Sequence, residues 1–446
     1  MKVIVWSALA LAVSAGQMQL ASAAPYVGNQ ADAKGFVDDS QLDVLLRSYY
    51  FNRNKKDGAV DNRDWSGAVQ GVFTSGFTQG TVGVGVDAFG YMGLKLEGQD
   101  KYAGSGNLTT TTNSQGRIDG NHDSYGKAGA ALKVRVSHTE LKVGDMQPST
   151  SPVFAIGGTR LTPQTASGIN VLSSEIQGLD VEAGHFYSST SQDETNRNGS
   201  LWAAYANVSA KSIDFAGGRY AVTDQLTTSL YASKLQDIWN QYYANVNYEL
   251  PINPLNSVNF DLNYYRTTDE GRANAGAIDN NTYSLSAAYT FLLAHRITLS
   301  FQKVNGDTPF DYVGVGDNNR GSNSMYLSNS IQYSDFNGPG EKSWQARYDL
   351  NMAPYGVPGL TFMTRYAHGS GIDGSHTPAN SPYQGLYGAD DSHHELNVEA
   401  KYVIQSGPAK DLSVRLRQAW HRATSTQIDG NADEFRLIID YPLSIL

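Results

Sequence analysis

The sequence predicts an all-β chain folded as a transmembrane antiparallel β-barrel. Three observations carry this: strand-length segments that alternate apolar with polar or charged residues, connections of a short and a long kind, and an export signal ahead of a chain without cysteine. The segment Leu412-Ser413-Val414-Arg415-Leu416-Arg417-Gln418 shows the alternation. Extended, it sets Leu412, Val414 and Leu416 on one face and both arginines on the other. A soluble sheet would turn the apolar face to its core, whereas a membrane barrel turns it to lipid and leaves the arginines lining a water-filled lumen.

At the N-terminus, Lys2 precedes the apolar run 3–13 and then Ala21-Ser22-Ala23, a charged n-region, an h-region and a small-residue cleavage site. This predicts a signal peptide over 1–23 and a barrel over 24–446 in the bacterial outer membrane. The run is too short to span a bilayer as a helix, which takes about 20 apolar residues. No later stretch does better; 287–294 is interrupted by Tyr289 and Thr290.

The absence of cysteine excludes a disulfide framework and any thiolate metal site. Charged residues make up 17%, below the roughly 25% usual for globular chains. Mean hydropathy is only -0.39, as expected where each lipid-facing residue is matched by a lumen-facing one. A formal net charge of -10 excludes a generic nucleic-acid binder, which would be basic, so any cationic chemistry must be local.

Taken in order, Val82, Val84 and Val86 alternate with Gly83, Gly85 and Asp87, and Leu132, Val134 and Val136 with Lys133, Arg135 and Ser137. Trp344, Ala346, Tyr348 and Leu350 oppose Gln345, Arg347 and Asp349; Leu396, Val398, Ala400 and Tyr402 oppose Asn397, Glu399 and Lys401. A sandwich core would not tolerate so repeatedly charged a face. Val222-Thr223-Asp224-Gln225-Leu226 reads as a tight turn, and 104–124, 188–199, 267–281, 315–324 and 368–394 as long polar loops. Short turns at one rim and long loops at the other mark an outer-membrane barrel, and about 23 residues per strand and half-hairpin gives roughly 16 to 20 strands. Trp239, Tyr242, Tyr243, Trp420 and Tyr441 near strand ends read as interfacial girdles, or as ordinary strand propensity. No linker or composition break marks a second domain.

Arg53, Arg365, Lys401, Arg415, Arg417 and Arg436 fall on predicted polar faces. One reading is a file of cations that attracts carboxylates and passes them from one fork to the next. The other is that these side chains pair with Glu399, Glu434 and Asp440 and stiffen the wall. Segment 146–168 holds Pro148, Pro152 and Pro163, which forbid a central strand, yet also Val153, Phe154, Ile156 and Leu161, apolar for a solvated loop. It is expected to fold into the barrel with Arg160 as its cationic tip; an outer loop packed on its neighbours is the alternative. His185, His393, His394 and His421 stand in no nucleophile elbow, HExxH or paired-carboxylate motif. His393 and His394, adjacent on a strand, point to opposite faces, so a metal there needs help from elsewhere. No catalytic residue, metal or cofactor is predicted.

Gly76-Phe77-Thr78-Gln79-Gly80-Thr81, the segment 154–165, Gln332-Tyr333-Ser334-Asp335-Phe336-Asn337-Gly338-Pro339-Gly340-Glu341-Lys342-Ser343-Trp344, Val357-Pro358-Gly359-Leu360-Thr361-Phe362 and the ending Tyr441-Pro442-Leu443-Ser444-Ile445-Leu446 carry a resemblance. Through them the chain closely resembles the OprD family of substrate-specific outer-membrane porins of pseudomonads. The resemblance implies an 18-stranded monomeric barrel, an inward-folded third loop, a basic ladder and an acidic, tyrosine-lined counterface. The ladder falls on Arg53, Lys401, Arg415, Arg417 and Arg436, with Arg63 as a further rung where the stretch 52–64 departs from the family pattern by a residue. The constriction partners fall on Tyr205, Tyr312, Tyr333, Ser330 and Asp335, with Arg160 in the folded loop.

The implied function is passive uptake of small carboxylate-bearing solutes, basic amino acids and small peptides, with carbapenems following the same route. The partners expected are these solutes, outer-membrane lipid and lipopolysaccharide, and no nucleic acid; loose association of three barrels stays open. Loops 188–199, 315–324 and 368–394 depart most from the pattern, which leaves the preferred solute open. A hydrolase held at a barrel rim and a structural or adhesive barrel closed by its loops are the rival readings.

Overall fold

The computed structural model describes residues 24–158 and 160–446, so the expected signal peptide over 1–23 lies outside the described residues. Eighteen strands, from Gln41–Lys55 to Ala432–Ser444, form one antiparallel sheet in which every strand pairs with its neighbours along the chain. The first strand also pairs with the last, from Asp43 opposite Ser444 to Lys55 opposite Ala432. That seam closes the barrel and leaves no sheet edge, the condition for strands to cross hydrocarbon where unpaired backbone groups find no water.

The alternation sorts residues as the sequence predicts. Leu416 faces outward while Arg417 and Ala419 are buried, and Val82, Val84, Leu132 and Val136 are exposed while Lys133 is buried. Strand pairing aligns Leu262, Leu285 and Phe301 side by side, all exposed, as a lipid-facing row. One rim carries the short turns 137–138, 177–178, 222–225, 254–255 and 292–294; the other carries 98–123, 147–164, 191–212, 306–341 and 373–390. The two-residue hairpins need left-handed backbone, which Gly178 supplies at φ 78° and Ser137 at φ 51°.

The aromatic girdle expectation needs correction. Trp239 and Tyr243 are buried inside the barrel, and only Tyr242 of that group is well exposed. The reason is the period of two: adjacent strand residues face opposite ways, so Tyr242 and Tyr243 cannot both meet lipid. Exposed aromatics near the long-loop rim include Trp65, Tyr187, Tyr242, Tyr264 and Trp344, and near the short-turn rim Tyr220, Tyr289, Phe362 and Tyr402.

The main apolar core lies within the barrel, between inward loops and one side of the wall. Val153, Phe154 and Ile156 pack there with Phe186, Phe215, Trp239, Tyr265 and Phe310. Loops 191–212 and 306–341 are bound together by a small sheet of Val208–Ala210, Leu201–Ala203, Val313–Val315 and Arg320–Gly321. At the short-turn rim the segment 24–40 folds back against the wall, where Gln30 Nε2 donates to the Thr78 carbonyl at 2.8 Å and receives Arg135 Nε on its Oε1 at 3.1 Å. Because Leu285 sits mid-strand on the lipid side, Leu285→Arg is expected to destabilise the barrel by about 2–4 kcal/mol, read by reversible unfolding in lipid vesicles.

Candidate functional site

The lumen is narrowed first by loop 147–164, which crosses it. Near one end the Pro152 carbonyl accepts a hydrogen bond from Tyr265 Oη at 3.0 Å, on the eleventh strand, Asn256–Asp269. Near the other, the Arg160 carbonyl accepts one from Arg47 at 2.8 Å, on the first. First and eleventh strands stand almost opposite in a ring of 18, so the loop reaches from wall to wall. Its apolar residues explain why: Val153, Phe154 and Leu161 are fully buried, and Phe154 packs against Phe186 and Phe215 with ring centroids 5.0 and 6.0 Å away. The inward reading of this segment holds, and the outer-loop alternative does not.

The predicted cations gather at the seam. On the first strand Arg47, Tyr49, Phe51 and Arg53 share the inner face. Strand pairing sets Arg436 opposite Phe51, Arg417 opposite Arg436, and Lys401 opposite Arg415. From the long-loop rim inward the order is therefore Arg53, Arg436, Arg417, Arg415, Lys401, with Arg417 and Arg415 about 7 Å apart along one strand. The guanidinium groups of Arg160, Arg53 and Arg436 lie 4.9, 5.4 and 5.8 Å from the Phe51 ring centre, favourable cation–π geometry worth about 0.5–2 kcal/mol each.

Both readings of these cations find support. Glu434, fully buried, takes Arg53 and Arg436, each at 2.5 Å; Glu399 takes Arg415 at 2.7 Å and Arg417 at 3.0 Å; Asp440 takes Arg47 at 2.7 Å. The pairs do stiffen the wall. Yet each glutamate is shared by two arginines, so each trio keeps net positive charge toward the lumen.

The counterface is built by loops. Asp335 accepts hydrogen bonds from Ser330 Oγ at 2.6 Å, Tyr205 Oη at 2.9 Å and Tyr312 Oη at 3.2 Å. Three hydroxyls on one carboxylate fix its position while leaving the group half-buried. Burial raises the Asp335 pKa, and the hydrogen bonds from Ser330 and Tyr205 oppose that shift. Two residues away, Tyr333 lies beneath Arg53, whose guanidinium is 4.8 Å from its ring centre, and its hydroxyl donates to the Asp429 carbonyl at 2.7 Å. Carboxylate and cation file are thus held by residues whose Cα atoms are at most about 7 Å apart.

Of the expected residues, Arg53, Arg160, Arg436 and Tyr333 form one group, Tyr205, Tyr312, Ser330 and Asp335 a second, and Arg417, Arg415 and Lys401 the descent below them. Arg63 stands apart: it shares the outward face of Trp65, opposite Asp64, and stacks on Tyr102 of loop 98–123 at 4.5 Å. An extra residue in the preceding connection is enough to flip a strand position to the other face.

Three positioning residues escaped the sequence reading. Arg47 carried a signal, since it lies on the period-two face of Arg53. Asp311 carried none: fully enclosed, it accepts the backbone amides of Tyr205, Ala206 and Tyr312 at 2.9, 3.0 and 2.7 Å and the Tyr383 hydroxyl at 2.9 Å. It joins loops 191–212, 306–341 and 373–390 and aims both Tyr205 and Tyr312. Glu395 acts likewise on the amides of Tyr333 and Ser334, at 3.1 and 3.0 Å.

A closed membrane barrel whose long loops fold inward onto a charged passage is a porin, a channel of the bacterial outer membrane rather than an enzyme. The family model for the outer membrane porin, OprD family, matches residues 34–445, and the chain belongs to that family. It is 58% identical to Porin D of Pseudomonas aeruginosa over 450 residues, covering all of both chains. To the porin-like protein GalP of Pseudomonas putida it is 34% identical, over 94% of this chain and 95% of that one. The crystal structure of Pseudomonas aeruginosa OprD superposes with a TM-score of 0.83 at 56% identity, over 95% of this chain and 100% of that one.

Asp311→Ala strands three backbone donors, each costing about 1–3 kcal/mol if it stays buried. A lowered melting temperature together with looser Tyr205 and Tyr312 is the expected outcome, checked by thermal unfolding and tyrosine fluorescence.

Proposed function

We propose that the chain is a passive, substrate-selective channel for small solutes that carry both a carboxylate and a basic group. Basic amino acids come first, small peptides next, and carbapenem antibiotics pass because they carry the same two groups. The observation behind this reading is that Asp335, fixed by three hydroxyls, lies two residues along the loop from Tyr333, the ring on which Arg53, first of the cation file, is stacked. The solute's carboxylate moves along Arg53, Arg436, Arg417, Arg415 and Lys401, while its ammonium or guanidinium meets Asp335 and the hydroxyls of Tyr205, Tyr312 and Tyr333. Arg160 adds a cation from the crossing loop. Sharing Glu434 and Glu399 weakens each rung enough for the solute to leave it, as conduction requires. Both charged walls come from one chain, so a single barrel is a complete pore, with its outer rim among lipopolysaccharide.

Planar-bilayer recording tests this directly: open channels of low conductance, blocked by added lysine or arginine, are expected, and a well-folded protein that conducts nothing would sink the proposal. Replacing both Arg415 and Arg417 with Ala is expected to cut the uptake of carboxylate solutes into proteoliposomes several-fold; unchanged uptake would make them wall struts only. Asp335→Asn is expected to slow lysine more than a neutral amino acid of equal size. Because burial raises its pKa, Asp335 loses its charge at a higher pH than an exposed aspartate does. Lysine block therefore weakens on acidification more steeply in the native channel than in Asp335→Asn, as bilayer titration will show.

A further inference from the structure

We propose a divalent transition-metal site at the long-loop end of strands Asp391–Val403 and Ser413–Ala423, held by His393, His421 and Asp429. His393 and His421 project from neighbouring strands onto the inner face and are 2% and 0% exposed. Asp429 comes from loop 424–431, and the three ligand atoms all lie within 4.8 Å of one another. Nδ1 of His393 and Nε2 of His421 face each other at 2.9 Å.

The far sides of both rings explain what those two nitrogens present. His421 Nδ1 donates to the Gly430 carbonyl at 2.7 Å, which fixes the tautomer and leaves Nε2 a lone pair. His393 Nε2 donates at 2.8 Å to Glu341, itself buried, so the neutral ring offers the Nδ1 lone pair to an ion and the protonated ring instead donates from Nδ1 to His421. At 2.9 Å the two nitrogens share a proton, and a metal ion can take the proton's place once they move apart to the roughly 3.3 Å that tetrahedral coordination sets. A carboxylate behind one ligating imidazole and a carbonyl behind the other is the outer-shell pattern that orients histidines on a metal. Asp429 is oriented in turn: its Oδ2 accepts Ser334 Oγ at 2.6 Å and Gln427 Nε2 at 3.0 Å. Ser334 Oγ also lies 3.4 Å from His393 Nδ1, within reach as a fourth donor, and Gln427 Nε2 lies 3.3 Å from it, a long contact that a small shift would release.

Imidazole and carboxylate donors without thiolate suit Zn2+, Co2+ or Ni2+. The half-buried Asp429 and the exposed residues Thr424 and Ile428 place the entrance on the outer rim. Ser334 stands between Tyr333 and Asp335, so a bound ion clamps the constriction loop to the wall. The site does not depend on which solute the channel carries.

The test uses the full chain in detergent, stripped with chelator and titrated with Co2+ as a spectroscopic probe. One equivalent is expected to bind with visible absorption bands and to be displaced by Zn2+. His421→Gln on the strand and, separately, Asp429→Asn on the loop are expected to weaken binding at least about tenfold. His394→Gln, whose side chain points to the other face, should leave it unchanged. The proposal is overturned if folded protein takes up no Co2+, which would mean that the two histidines keep their shared proton. It is also overturned if binding survives in both His421→Gln and Asp429→Asn.

Discussion

Closure of the sheet between Gln41–Lys55 and Ala432–Ser444 is the constraint on which the rest depends. A bilayer admits strands only when every backbone group is paired, so the first strand must find the last across the whole chain. The same seam sets Arg53 beside Glu434 and Phe51 beside Arg436. The upper end of the cation file is therefore a product of closure: the residues meet only when the barrel is complete.

Closing so many strands leaves a lumen too wide to discriminate small solutes, and the inward loops resolve this without a second domain. They behave as a core turned inside the barrel. One side of loop 147–164 is apolar and packs on Phe186 and Phe215, while its Arg160 end joins the cations around Phe51. Loop 306–341 is pinned by buried carboxylates, Asp311 at one end and Glu395 near the other. Both acids accept backbone amides and so hold the shape of the loop.

The barrel was legible because period-two alternation is written into each strand: Leu416 and Arg417 could be assigned to opposite faces from spacing alone. The inward course of 146–168 was legible too, from the conflict between its prolines and its apolar side chains. Trp239 and Tyr243 were misplaced where aromatic clustering was allowed to override the period-two rule. The counterface was reachable only through family resemblance, because Tyr205, Tyr312 and Asp335 lie in loops far apart in sequence, where no period constrains a side chain. Asp311 shows the limit: its work is done on backbone amides of two loops, and such bonds leave no trace in composition or spacing. His393 was noticed beside His394 and His421 by itself, since register between strands is needed to bring the two together.

The opposed walls have a consequence beyond attraction. On the proposed reading, positive charge on the seam and negative charge on the loop produce an electric field across the passage rather than along it. A molecule with separated charges turns broadside in such a field, at the place where there is least room to tumble. A neutral molecule of the same width, or one with a single charge, lacks the dipole to be aligned. The channel then sorts by the size and direction of a molecular dipole, a property that neither pore width nor net charge describes.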